Sequence, residues 1–244
     1  MRYFLTFLFF IVSSNVYATD PDSLPDDPWM KNFFENCGYY PIKHHENNNV
    51  FWRFTLEKGD RGGCSSDNIE RSGALYWERK EVGGRKLKSD ATYEVQFKVR
   101  FDRGFEGDWE TFLQLHGYSD PACSKPLLMF KFGGSSAWLD PSLALISRHT
   151  GERRLVKQPF QLEKFSIDEI LGIWQKLKFV FETNAGKSKY SLYINNRLEV
   201  SEEEFYIPAC STPHIKFGIY RLGDPEYGKT SIVDFDDVIV TKVR

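Results

Sequence analysis

The chain has 244 residues, of which 41% are hydrophobic and 27% charged, and its formal net charge is −2. A charge this close to balance excludes bulk electrostatic capture of nucleic acid. Beyond the N-terminus, no segment stays apolar for the ~20 residues that a bilayer-spanning helix needs. Aromatic residues make up 16% of the chain, a content that suits β-strands and stacking against sugar faces.

Met1-Arg2, the apolar run Tyr3 to Val12 and the exit Val16-Tyr17-Ala18 describe a secretory signal peptide over residues 1–18. The expectation is a secreted or periplasmic protein that remains a monomer. Residues 19–49, rich in Pro, Asp, Asn and His, read as an N-terminal extension with little regular structure, and His44-His45 within it as solvated side chains rather than a metal site. From residue 50 to 244 the chain breaks into short alternating runs between Gly, Pro, Asp and Asn. Val50–Leu56, Gly73–Val82, Thr92–Phe101, Thr111–Gly117, Leu127–Phe132, Leu143–His149, Gln175–Glu182, Tyr190–Ile194, His214–Tyr220 and Ile232–Val240 each predict a strand. Asn195-Asn196 predicts a tight hairpin turn, and Ser166–Leu171 the single helical turn. Many short strands and little helix make the fold class all-β, a concanavalin-like jelly-roll sandwich of two antiparallel sheets. Four cysteines, Cys37, Cys64, Cys123 and Cys210, are an even count in an exported chain and predict two disulfides of open pairing.

Three of the predicted strands carry polar side chains on one face. Side chains alternate across a strand, so Gln114 and His116 point one way while Leu113 and Leu115 point the other. His214, Lys216 and Tyr220 share a face opposite Ile215, Phe217 and Ile219, and Gly218 leaves a gap on it, as if something approaches the backbone there. Trp77, Arg79 and Glu81 form a third such set. Singly, each strand reads as the solvated outer face of an antiparallel sheet. Together they hold the groups that β-elimination of a uronic acid requires. A cation or amide neutralises the carboxylate, a base removes the C5 proton, and an acid protonates the leaving oxygen at C4.

Other residues carry weaker signals. Asp234, Asp236 and Asp237 are a candidate calcium set, although their alternation equally fits an edge strand. His149, Arg153 and Arg154 read as turn and loop residues, and Trp77, Trp109 and Trp138 as core or sugar-stacking rings. A glycoside hydrolase wants two flanking carboxylates, and Glu106, Asp108 and Glu110 are poor substitutes for that pair.

Arg79-Lys80-Glu81-Val82, Gln114-Leu115-His116 and Ile215-Lys216-Phe217-Gly218-Ile219-Tyr220 resemble, in order and type, three strand motifs of jelly-roll polysaccharide lyases. The surroundings are most similar to the heparin lyase I-like and glucuronan lyase groups, and more distantly to alginate lyases, over roughly residues 51 to 240. Gly83 and His214 depart from the alginate pattern, which usually has an arginine and an aromatic there. The resemblance implies a lyase on an acidic, uronate-containing polysaccharide with no required cofactor. Tyr220 becomes the acid, and for some substrates both acid and base, and His116 becomes the base or a neutralising partner. Arg79 and Gln114 become carboxylate ligands, Lys216 a charge near Tyr220, and Glu81 the residue that orients Arg79; Arg221, by its own positive charge, is expected as a further contact for an acidic chain. The alternative is a non-catalytic carbohydrate-binding jelly roll that keeps the groove without turnover.

Overall fold

The computed structural model describes residues 34–35, 41–62, 64, 67, 76–105, 110–119, 126–132, 143–149, 152–155, 170–184, 186–223 and 229–244. The expected signal peptide, Cys37, Cys123, Glu106, Asp108, Trp109, Trp138 and most of the expected helical turn at 166–171 lie outside the described residues.

Fourteen strands are described: β1 (Phe34–Glu35), β2 (Ile42–Glu46), β3 (Asn49–Leu56), β4 (Tyr76–Lys86), β5 (Ala91–Phe101), β6 (Thr111–Ser119), β7 (Pro126–Phe132), β8 (Leu143–His149), β9 (Glu152–Leu155), β10 (Gln175–Thr183), β11 (Gly186–Ile194), β12 (Arg197–Ile207), β13 (Ser211–Gly223) and β14 (Ser231–Lys242). They form two seven-stranded antiparallel sheets. The front sheet runs β1-β4-β13-β6-β7-β8-β9, and the back sheet runs β12-β11-β10-β5-β14-β3-β2. This is the all-β sandwich that the sequence predicts.

Sequence period dictates the layers. Strand β5 alternates strictly, with Ala91, Tyr93, Val95, Phe97, Val99 and Phe101 buried and the residues between them partly exposed. Its rings meet those of the front sheet: Phe97 packs on Phe217 with centroids 5.1 Å apart, and Phe130 on Phe179 at 4.3 Å. Most of the phenylalanines therefore form the inter-sheet core, where each buried ring contributes about 2 kcal/mol by area. The hairpin predicted at Asn195-Asn196 is present, with φ of 49° and 67° at the two residues, the left-handed pair that a two-residue turn demands.

A second Asn-Asn turn, Asn47 (φ 48°) and Asn48 (φ 64°), joins β2 to β3. The segment expected to carry little regular structure thus supplies two short outer strands, β1 on β4 and β2 on β3. Arg153-Arg154, expected in a loop, lies in β9, and His149 ends β8; their side chains are outside the described residues. Strand β12 forms one edge of the back sheet and is broken by a register shift against β11, with Glu202 at φ 49°. Cys64 and Cys210 are both disulfide-bonded. Among the described residues, no helix is long and apolar enough to cross a membrane.

Candidate active site on the front sheet

Strand β13 lies between β4 and β6 in the front sheet, and its register brings the three polar faces side by side. Tyr220 lies opposite Arg79 on β4 and Thr111 on β6. Lys216 lies opposite Gly83 and Gln114, and His214 opposite Lys86 and His116. Ile215, Phe217 and Ile219 on the other face are in the core. Arg79, Glu81, Gln114, His116, Lys216 and Tyr220 therefore share one surface of three adjacent strands, as alternation predicts.

The surface is layered by exposure. Arg79, Glu81, Gln114, His214 and Lys216 are buried, whereas Trp77, His116 and Tyr220 are half-exposed. The buried layer is internally paired. Gln114 Nε2 donates to Glu81 Oε1 at 2.5 Å, and Arg79 Nη1 lies 3.4 Å from Glu81 Oε2. Arg79 Nη2 donates to Asp67 Oδ1 at 2.9 Å. Two cations, Arg79 and Lys216, thus accompany two carboxylates, Glu81 and Asp67. Burial opposes the Arg79 charge, yet Glu81 and Asp67 keep the guanidinium above its ordinary value. Burial pushes the Glu81 carboxyl up, opposed by Arg79, Lys216 and the Gln114 amide. Burial also pulls the Lys216 ammonium below the ordinary lysine value, against the pull of Glu81.

Above this layer, the Tyr220 ring is held on two sides. The Trp77 indole stacks on it with centroids 4.8 Å apart and 25° between planes, and the Arg79 guanidinium carbon lies 4.5 Å from its centroid. His116 sits at the other end. Its Nδ1 lies 2.6 Å from the carbonyl oxygen of Gly117, so Nδ1 carries the proton and Nε2 keeps a lone pair. Burial first, then Lys216, lowers this imidazole to about 3. The neighbouring His214, 5.5 Å away by ring centroid, hydrogen-bonds the His116 backbone and is lowered by burial to about 4. Both are neutral at ordinary pH. Five residues of β6 separate the levels of Tyr220 and His116, about 16 Å of extended strand at ~3.3 Å per residue.

Three expectations need correction. Arg221 does not join the group. It projects from the face opposite Tyr220, is buried, and gives its donors to Glu78 Oε2 (2.5 Å), Glu110 Oε1 (2.8 Å), Ser231 Oγ (3.0 Å) and the Lys229 carbonyl (2.7 Å). What approaches the backbone at Gly218 is the neighbouring strand: a Cβ there would lie 2.1 Å from the Lys80 carbonyl oxygen. The aspartates of β14 do not fit calcium. Both oxygens of Asp234 are held by Arg53 (2.7 and 2.9 Å) and one of them also by Arg100 (2.8 Å), while Asp236 and Asp237 face Lys98. Guanidinium and ammonium groups occupy the positions that a cation would need. Among the described residues there is no group of three or more His, Cys, Asp or Glu that could hold a metal. Glu110, the remaining described candidate for a hydrolase carboxylate, is paired with Arg221.

Asp67 is the member of the site that sequence reasoning does not single out. It is fully buried ahead of β4, in a stretch of sequence without period, and only Gly62-Gly63 upstream hints at a close approach.

No family model matches the sequence, and no curated protein sequence does. Solved structures share its architecture. The alginate lyase from Corynebacterium sp. superposes with a TM-score of 0.52 at 16% identity, covering 86% of this chain and 83% of that one. Alginate lyase vAL-1 from Chlorella virus gives 0.52 at 9% identity, covering 84% and 89%. The alginate lyase from Klebsiella pneumoniae gives 0.50 at 10% identity, covering 83% and 84%. At these identities the likeness is one of fold, and the fold is the β-jelly roll.

Proposed function

We propose that the protein is a polysaccharide lyase that cleaves a uronic-acid-containing polymer by β-elimination. The observation that supports this reading is the register of β4, β13 and β6, which aligns Arg79, Gln114, His116, Lys216 and Tyr220 on one face. In this reading the buried Arg79, Gln114 and Lys216 supply positive potential and amide donors to the uronate carboxylate, which makes the C5 proton removable. Glu81 orients Arg79. The half-exposed Tyr220 phenol protonates the leaving O4, and the neutral His116 Nε2 offers a free lone pair to the C5 proton, although burial weakens it as a base. Heparin-like, glucuronan-like and alginate-like chains are all candidate substrates, met outside the cytoplasm after export through the N-terminal segment.

The test is incubation with a panel of uronate polymers while following the ultraviolet absorbance of the conjugated product. Tyr220→Phe is expected to abolish the signal, a loss of at least about a hundredfold, while polymer binding persists. No product from any uronate polymer by the folded wild type overturns the reading. His116→Asn then assigns the base. Its activity is lost if His116 removes the proton, and retained if Tyr220 serves both transfers, for which the spacing along β6 leaves room.

One observation favours a second reading, a carbohydrate-binding jelly roll without turnover. The Arg79 guanidinium is already matched by Asp67 and Glu81, and Gln114 already donates to Glu81. Saturable binding of a uronate polymer without product would establish it.

A further inference from the structure

We propose that Asp67 is a positioning residue that holds Arg79 against the face of Tyr220 and so fixes the phenol for proton transfer; this rests on the lyase reading above. Residues 60–62, which precede Asp67, meet β4 at successive points. The Arg79 amide donates to the Asp60 carbonyl at 3.3 Å, and Arg61 bridges Glu78. At Gly62 the approach is so close that a Cβ would lie 2.2 Å from Asp67 Oδ2 and 2.9 Å from Arg79 Cβ. Asp67 itself closes a turn, its amide donating to the Cys64 carbonyl at 2.9 Å, and Cys64 is tethered by a disulfide. The carboxylate is fully buried and its Oδ1 accepts from Arg79 Nη2.

The second hold on Arg79, the 3.4 Å pair with Glu81, comes from its own strand two residues along. Glu81 alone would draw the guanidinium along β4 toward Lys216. Asp67 supplies the opposing hold, and with both in place the guanidinium carbon lies 4.5 Å from the Tyr220 centroid while Trp77 closes the other side of the ring. A carboxylate with no route to the substrate thereby controls the orientation of a group that has one. Small misplacements of a reacting group cost rate rather than affinity.

The experiment is steady-state kinetics of Asp67→Ala, Asp67→Asn and Gly62→Ala on whichever uronate polymer the wild type cleaves. Asp67→Ala is expected to lower kcat about tenfold with KM within about twofold of wild type. Asp67→Asn, which keeps an acceptor for Arg79, recovers most of that loss. Gly62→Ala keeps every charge, displaces the Asp67 carboxylate and lowers kcat in the same way, so it carries the test if Asp67→Ala fails to fold. Wild-type kcat in a folded Asp67→Ala or Gly62→Ala overturns the proposal, as does a rise in KM at constant kcat. An Asn variant no better than Ala also overturns it, because a purely structural role would not depend on the acceptor. A wild type that cleaves no uronate polymer overturns the lyase reading instead.

Discussion

At the scale of single residues, the site is governed by burial. His116 and His214 are held near 3 and 4 against an ordinary value of 6.5, each mainly by desolvation. Their folded-state values lie below their unfolded ones, so between pH 6.5 and pH 4 the unfolded chain binds more protons and stability falls as the pH falls. Tm is therefore expected to drop on acidification from pH 6.5 to pH 4, and His214→Gln, which removes one of the two groups, should drop less. A thermal melt series in both proteins checks this, and identical slopes would contradict it. Arg221 shows where the reading of single residues failed. The same alternation that puts Tyr220 on the site face puts Arg221 with Ile219 on the other, and its assignment to the substrate came from its charge rather than from the period. Asp67 itself was not legible, because a residue outside the strands that acts through one of them leaves no periodic trace.

At the scale of elements, β13 is the organiser, and its contact with β4 depends on Gly218. With φ at 137° and a virtual Cβ 2.1 Å from the Lys80 carbonyl oxygen and 2.7 Å from Glu81 Cα, the position admits no side chain. Gly218→Ala is expected to destabilise the fold by about 2–4 kcal/mol, measured by chemical denaturation, and to disturb the pairing of Tyr220 with Arg79. Strands with one apolar core face, such as β5, β6 and β13, were legible because that face imposes a period of two on the sequence. The short outer strands β2 and β9 were not. Ile42 to Glu46 and Glu152 to Leu155 are mostly polar, and hydrogen bonding to a neighbour, more than any apolar stripe, makes them strands.

Across the whole molecule, the two sheets are joined by more than the phenylalanine core. Arg221 of the front sheet binds Glu78 and Glu110 and reaches Ser231 at the start of β14 in the back sheet, and Ser231 in turn donates to Glu110. Arg221→Met would leave two buried carboxylates without their cation, and a loss of about 3–5 kcal/mol is expected. Under the proposed lyase reading, the cleavage rate per folded molecule should survive, since Arg221 faces away from Tyr220; a rate that collapses while the fold persists would return Arg221 to the site. The sandwich as a whole was legible from rhythm alone, whereas the ionic cluster linking its sheets was not, because its partners come from four separate segments of the chain.

The break in β12 bears on how such a molecule survives at high concentration. A sheet ends in unpaired amide and carbonyl groups, and a straight, apolar edge invites a strand from another molecule to extend it. Here the edge carries Glu199, Glu202, Glu203 and Glu204, and it bends at a left-handed Glu202 where the register against β11 slips. An incoming strand meets a row of carboxylates, three of them paired with Arg197, Lys189 and Lys187, and an interrupted ladder, so this edge resists growth into fibrils.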